Sequence, residues 1–393
     1  MIKISEYPLT PEQLHFYNIQ KEYPLLPAFN MYPMLMKLKD WVDMKKMSAA
    51  IIKTAQAHPA CFSLVEEHNG TVFQKYVPDL ITDVKIEKNS EAEFQAIAKN
   101  LIQPFNLLKE PGFRFRLFET ESAKYFFIDT HHVFCDGLAK CIFVYDLDKV
   151  YAGQEIEQDA WLSYLEQREN AKLLPHYRES KLYYENLYGD AEWSKYPKTD
   201  FEGNGKNEQG FLFRDIDFSD NDWQILREYN LTQNDFFIIV SLLSTAIFNN
   251  SENVMNKWTY KGRWTKQHRN IIGNMIMKMP VALKLKNMTI SQIFKSVREQ
   301  VKGSLSHRDY SYIYLDEKIL KDDILCSTYQ SDLYSVPSKI NLFESMAADL
   351  ETNGYNVSDN IMYTEFRNQD KQFFIKVHPL IFWRIEAMTL IML

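Results

Sequence analysis

Cysteine is scarce in this chain: four residues among 393, Cys61, Cys135, Cys141 and Cys326, show no paired spacing. A disulfide framework is therefore not expected, and the thiols suit a reducing compartment. No basic block is present, and a net charge of −7 argues against electrostatic binding of nucleic acid. No apolar run reaches membrane-spanning length, and the opening Met1-Ile2-Lys3-Ile4-Ser5-Glu6-Tyr7-Pro8 carries no signal-peptide core. The most apolar helical stretch, Thr232 to Phe248, contains Ser241, Ser244 and Thr245 and reads as a buried core helix. Gly203-x-Gly205 lacks the strand–loop–helix surroundings of a phosphate-binding loop. Internal repeats and low-complexity segments are also missing. These absences lead us to expect a cytoplasmic, soluble protein that partners neither nucleic acid nor membrane.

What the chain does have is core-forming material, 46% hydrophobic and 14% aromatic residues. Single cores stop growing at ~250–300 residues, so more than one is expected. The pattern is organised around seven residues, His131-His132-Val133-Phe134-Cys135-Asp136-Gly137. Upstream, Lys124-Tyr125-Phe126-Phe127-Ile128-Asp129-Thr130 has the aromatic and β-branched content of a half-buried strand. Downstream, Leu138, Cys141, Ile142, Val144, Tyr145 and Leu147 recur near helical spacing. The seven residues thus fall in a strand-to-helix loop, where a packed sheet can hold polar groups rigidly.

Several readings of that loop are open. Imidazole exchanges protons near neutral pH, and a carboxylate can fix a geometry or balance a charge, although Asp136 stands four residues beyond His132. His-x-x-x-Asp can also place two metal ligands one helical turn apart. The other histidines, His15, His58, His68, His176, His268, His307 and His378, form no second ligand-spaced cluster, so no metal is expected. Cys135 beside a histidine could be an activated nucleophile, but side chains so close in an extended loop usually point apart. The plainest alternative is two polar residues and a turn glycine at a strand end, Gly137 permitting a close backbone approach.

His131-His132-x-x-x-Asp136-Gly137 after a hydrophobic strand resembles the signature of the condensation domains of nonribosomal peptide synthetases, within the wider chloramphenicol-acetyltransferase-like group of acyltransferases. Further stretches carry the resemblance. Pro8-Leu9-Thr10-Pro11-Glu12-Gln13 is similar to the family's opening, and its residues start a helix by themselves: Thr10 as N-cap, Pro11 first, Gln13 third. A strand over Phe29–Lys39, a helix over Asp43–His58, a hairpin of Phe62–Glu66 and Val72–Tyr76 about Gly70, and a helix over Glu91–Ile102 follow. The strand Phe113–Phe118 puts Arg114 and Arg116 on one face. Pro111-Gly112-Phe113-Arg114 resembles the family's Pro-x-x-Arg, whose arginine pairs with the motif aspartate; carried over, Arg114 bridges Asp136 and makes it a structural pin. Beyond Asp159, Tyr183-x-x-x-Leu187-x-Gly189 resembles the crossover between lobes. Strands over 211–218 and 254–260 and a helix over 220–229 open the second half. Lys261-Gly262-Arg263, Ile272-Gly273 and Pro280 resemble the family's Gly-Arg and Ile-Gly segments. His307-Arg308-Asp309-Tyr310-Ser311-Tyr312 is similar to a His-x-Asp-Tyr-Pro-Phe stretch, with Ser311 in place of proline, and Met277 stands where asparagine is common. Strands and a closing helix are expected after Cys326.

The resemblance implies an α/β fold (α+β sandwich): two chloramphenicol-acetyltransferase-like lobes in a V-shaped pseudodimer with an active-site tunnel between them. The expected division is an N-terminal lobe over 1–155, a helical crossover and linker over 156–205, and a C-terminal lobe over 206–393, the polar, glycine-bearing Lys198–Gly210 marking the boundary. The implied activity is amide formation by acyl transfer from a carrier-bound phosphopantetheine thioester to an acceptor amine. In that scheme His132 is catalytic, His131 and Asp136 shape the loop, and Gly137 leaves room beside it. No metal or permanently bound cofactor is implied; the phosphopantetheine arm of an acyl or peptidyl carrier protein is a substrate. A carrier-like Gly-x-Ser-Leu context and an adenylating motif are missing, so the carrier is expected in trans or in a larger synthetase. Two alternatives stand beside this: a free-standing O- or N-acyltransferase of the same fold using acyl-coenzyme A, and an inactive carrier-docking or scaffold module. The intact motif argues against the last, since a scaffold has no need of His132.

Overall fold

The run Lys124–Thr130 forms a strand, as its composition predicts, but it is buried on both faces: Phe126, Phe127 and Ile128 have no exposed surface. A strand covered on both sides reads as a continuous apolar run, which this one does, and the expectation of a half-buried strand is corrected accordingly. The computed structural model describes residues 6–25, 27, 30, 33–189, 191–195, 212–216, 219–315, 326–330, 340–348, 362–369 and 372–379. The chain divides into two units, one of Met1–Arg168, Gly262–Ile276 and Tyr334–Val357, the other of Glu169–Lys261, Met277–Leu333 and Ser358–Leu393.

In the first unit, β1 (Glu6–Pro8) leads to α1 (Pro11–Glu22), which starts at Thr10 with the expected capping box to Gln13. β2 (Met34–Leu38) occupies the end of the stretch expected as a strand, of which residues 29, 31 and 32 lie outside the described residues. Next come α2 (Met44–Gln56), β3 (Ser63–His68) and β4 (Thr71–Tyr76), the last two joined at Asn69-Gly70 as an antiparallel hairpin. Then follow β5 (Ile86–Lys88), α3 (Glu91–Ala98), which ends one turn earlier than its apolar spacing predicts, β6 (Phe113–Glu119), β7 (Lys124–Thr130), α4 (Gly137–Tyr151) and α5 (Trp161–Ala171), whose last three residues are counted with the second unit. One sheet has the order β1-β4-β3; the larger has the order β12-β2-β7-β6-β5, where β12 is Phe343–Ala348. Phe126 and Ile128 pack with α2 and α4 in the main core, while Phe127 packs with Phe94 of α3, Leu101 and Phe118 on the opposite face.

The second unit holds α6 (Pro175–Tyr188), β8 (Leu212–Ile216), α7 (Asp220–Glu228), α8 (Gln233–Asn249), β9 (Asn253–Tyr260), β10 (Met277–Lys284), α9 (Ile290–Ser306), β11 (Cys326–Gln330), β13 (Met362–Gln369) and β14 (Gln372–Pro379). Its sheet has the order β10-β9-β11-β13-β14-β8. α8 is the apolar core helix expected from its serines and threonine, with Phe237, Ile238, Ile239 and Leu242 buried; among the described residues no single helix is long and apolar enough to cross a membrane. Tyr184 and Tyr188 of α6 pack with Tyr310 and Tyr312, and Tyr188 Oη donates to Pro280 O at 2.8 Å. The loop Lys198–Gly210 and the residues beyond Pro379, where a closing helix is expected, lie outside the described residues.

The contiguous lobes expected from sequence need correction. Residues 156–168 belong to the first unit, and so do Gly262–Ile276 and Tyr334–Val357 from within the expected second lobe. Two local causes are visible. β12 pairs antiparallel with β2, its approach fixed by Asp148 of α4 accepting from Asn341 N and Leu342 N at 3.0 and 3.2 Å. The segment around Ile272 is held by Asp159, whose Oδ2 accepts from Ile272 N at 2.9 Å.

Asp159 is itself held by a buried imidazole. His58, at the end of α2, places Nδ1 2.8 Å from Asp159 Oδ2 and Nε2 3.4 Å from Asp146 Oδ2 of α4. Burial alone would lower the His58 pKa, but the two carboxylates outweigh it and the value is raised. A raised folded value means the stabilisation is complete below the ordinary imidazole pKa and is lost as pH rises through the folded one. We therefore expect His58→Gln to cost about 3–5 kcal/mol near pH 6, the penalty for breaking a buried ion pair. The gap between wild type and variant should narrow in alkaline buffer. Urea unfolding at both pH values checks this, and a gap independent of pH would remove the imidazolium from the account.

Candidate active site

The motif does occupy the turn between β7 and α4. Its first histidine points inward. His131 is fully buried; its N–H donates to Gly112 O at 2.8 Å, and its Nδ1 accepts from Val133 N at 3.1 Å. With Nδ1 an acceptor, the ring proton sits on Nε2, 3.2 Å from Gln20 Oε1 of α1. Burial, with the neighbouring His132 and Arg114 charges, pushes the His131 pKa down to about 3, so the ring is neutral across the working pH range. The backbone then turns, Phe134 N and Cys135 N both donating to His131 O, and Val133, Phe134 and Cys135 have no exposed surface. Val133 O accepts from Gln13 Nε2 at 2.8 Å, while Gln13 Oε1 accepts from Thr10 N and from Gln74 Nε2.

His132 is only half-buried, and its ring stacks on Phe16 of α1 with centroids 4.0 Å apart. Burial first, and then the Asp136 charge, push the Cys135 thiol up to about 12, which leaves no thiolate for the nucleophile reading. The metal reading pairs His132 with Asp136, and both oxygens of that carboxylate are already taken by Arg263 and by the backbone N–H groups of Ala139 and Met275.

Asp136 is the N-cap of α4 and is 1% exposed. Its Oδ1 accepts from Ala139 N at 2.9 Å and from Arg263 Nη2 at 3.1 Å; its Oδ2 accepts from Arg263 Nη1 at 2.7 Å and from Met275 N at 3.1 Å. The aspartate is thus a pin, but the cation is Arg263, and the expected bridge from Arg114 is corrected. Register explains the difference. Arg114 stands opposite Asp129 across β6 and β7, on the sheet face away from α4, and its guanidinium binds Glu110, Gln103 O and Pro104 O over the Phe105 ring. Asp136 begins the helix on the other face. Gly137 is the first residue of α4.

Gly262 and Gly273 bring Arg263 to its partner. Gly262 has φ +69°, and a Cβ there would lie 1.7 Å from Met275 O; a Cβ on Gly273 would lie 2.4 Å from the buried Trp161 ring. Sequence reading noticed the Gly-Arg and Ile-Gly patterns without a role for Arg263, and it saw Gln13 only as a capping residue. Phe16 and Gln20 gave no signal beyond their place on the helix. In a double-mutant cycle on unfolding free energy, Asp136→Asn and Arg263→Met should couple by about 2 kcal/mol or more. The same cycle with Arg114→Met should be additive within ~0.5 kcal/mol; the reverse ranking would restore the Arg114 bridge.

Comparison with known proteins places this geometry. The family model described as Condensation domain matches residues 3–324. Surfactin synthase subunit 1 of Bacillus subtilis (strain 168) is 21% identical over 331 residues, 81% of this chain. Tyrocidine synthase 3 of Brevibacillus parabrevis is 26% identical over 151 residues, 38% of the chain. The chain spans only 9% and 2% of those relatives' lengths, respectively. Among solved structures, the first condensation domain of the calcium-dependent antibiotic synthetase, in complex with a substrate analogue, superposes with a TM-score of 0.70 at 14% identity, covering 98% of this chain and 96% of that one. At that identity the likeness concerns the fold, and it agrees with the mixed α/β architecture expected above. The strand-to-helix motif with its buried pin and the match across residues 3–324 converge: the chain belongs to the condensation domain family.

Proposed function

We propose that the chain forms an amide by transferring an acyl group from a carrier-bound phosphopantetheine thioester to an acceptor amine, with His132 as the group that receives or orients the amine proton. The observation that carries this reading is the unequal fate of the two histidines in a loop pinned by Asp136 and Arg263. His131 is sealed and neutral, whereas His132 is half-buried on the same rigid turn. In the reaction the amine nitrogen attacks the thioester carbonyl, the C–N bond forms, and the C–S bond breaks. The proton lost by nitrogen leaves by way of His132 and ends on the pantetheine thiol. The thioester is already activated, so alignment supplies much of the acceleration and proton handling the rest. The carrier would be supplied in trans or by a longer synthetase such as the relatives above.

The test is intact-mass detection of product with aminoacyl-loaded carrier proteins and, in parallel, the matching acyl-coenzyme A, wild type against His132→Ala. Product from carriers should form with wild type and fall by about 10²–10⁴-fold in the variant. Turnover with coenzyme A thioester alone would assign a free-standing acyltransferase instead. Wild-type rates from His132→Ala would overturn the role given to His132.

A further inference from the structure

Helix α1 contributes three side chains to the motif loop, Gln13, Phe16 and Gln20, spaced by three and then four residues and therefore on one helical face. Gln13 fastens the loop backbone at Val133 O, and Gln20 meets the inner histidine at Nε2. Between these two contacts along the helix, the Phe16 ring lies against His132, centroids 4.0 Å apart and planes 14° from parallel. His15, the preceding residue in the chain, meets Phe16 edge-on at 5.5 Å, so the phenyl ring is itself braced.

Two features set this contact apart from ordinary core packing. Phe16 is only partly buried, as is His132, so the pair lies at the margin of the core cluster and not within it. The contact is also face to face, and a rotation of the imidazole about its own side-chain bond would lose it. Aromatic pairing beyond simple burial shifts populations by roughly twofold to tenfold, enough to favour one imidazole plane over others. The hydrogen bonds of Gln13 and Gln20 fix where the His132 backbone lies, and the phenyl face fixes how its ring is turned.

We propose that Phe16 is a positioning residue for His132, a platform that sets the plane of the imidazole while the rest of α1 sets the loop; this rests on His132 being the reactive group. Phe16 touches no reacting atom in this scheme and acts only through the histidine. The inference separates two functions of one helix face, with the glutamines holding the loop and the phenylalanine orienting the ring.

The test uses the full chain labelled at its nine histidines, the His132 ring signal being assigned by its loss in His132→Gln. In wild type a ring stacked on a phenyl face gives ring protons displaced upfield. Phe16→Leu should abolish the displacement, and Phe16→Tyr, which keeps the platform, should retain it. In the carrier assay Phe16→Leu should lower kcat by about tenfold with KM unchanged, the loss expected from a misaligned group, while Phe16→Tyr stays within about twofold. The other histidine signals report whether the fold is kept, and Phe16→Met replaces Phe16→Leu if they collapse. An undisplaced His132 signal in wild type, or one unchanged in Phe16→Leu, overturns the platform. A displaced signal that moves in Phe16→Leu without any change in kcat overturns its positioning role. Wild-type turnover by His132→Gln is a different failure, because it removes the reading of His132 as reactive.

Discussion

The Asp136–Arg263 pair is the contact on which the site depends. One carboxylate, 1% exposed, accepts four hydrogen bonds from three places: the first turn of α4, the guanidinium of Arg263 and the backbone of Met275. Such a pair adds little net stability over a well-packed apolar contact, since both ions lose their hydration. What it provides is direction. A buried carboxylate left without its cation is strongly unfavourable, so only arrangements that bring Arg263 to Asp136 are tolerated, and Gly262–Ile276 is drawn into the first unit. Gly262 is part of the same requirement, because the chain passes so close to Met275 O that no side chain fits.

Two adjacent histidines receive opposite environments from this frame. Successive side chains in extended backbone point to opposite sides, so a loop entered from a doubly covered strand sends one imidazole in and the other outward. The inward ring is neutral because burial makes its cation too costly, with the consequence that His131 itself adds no positive charge beside His132 at neutral pH. An ionised His131 would have opposed protonation of its neighbour. Burying it lets two histidines stand in sequence without competing for charge.

The sequence was informative wherever the cause was local. Thr10, Pro11 and Gln13 define the start of α1; Lys124–Thr130 and the spacing after Gly137 define the strand, turn and helix; the apolar stretch after Thr232 is the core helix it resembles. It failed where the partner was distant. Arg114 is 22 positions from Asp136 and belongs to a motif-like stretch, yet the register of β6 on β7 sends it to the far face. Arg263 is 127 positions away and completes the pair. β12 joins β2 across some three hundred residues, and nothing in either strand names the other. Such pairings are set by topology, and residue types at a given spacing do not encode it. Even the burial of β7 on both faces was written in its unbroken Tyr125-Phe126-Phe127-Ile128 run, which alternation would have interrupted.

The distribution of restraint also bears on the kind of catalysis this loop suits. A site built to shift the basicity of its imidazole would surround it with a fixed carboxylate, as in a catalytic triad. Here the motif carboxylate is turned away, its oxygens occupied by Arg263, Ala139 N and Met275 N, and an aromatic face stacks on His132. Glutamines from α1 hold the loop on one side and the Asp136 pin closes its other end. Rigidity of this sort acts on geometry. In the reaction proposed above, a thioester needs little activation beyond being met at the right angle by an amine, so a precisely held imidazole is chemically sufficient for it. The same arrangement would serve poorly against an unactivated amide or ester, where a stronger base and a better-stabilised leaving group are required.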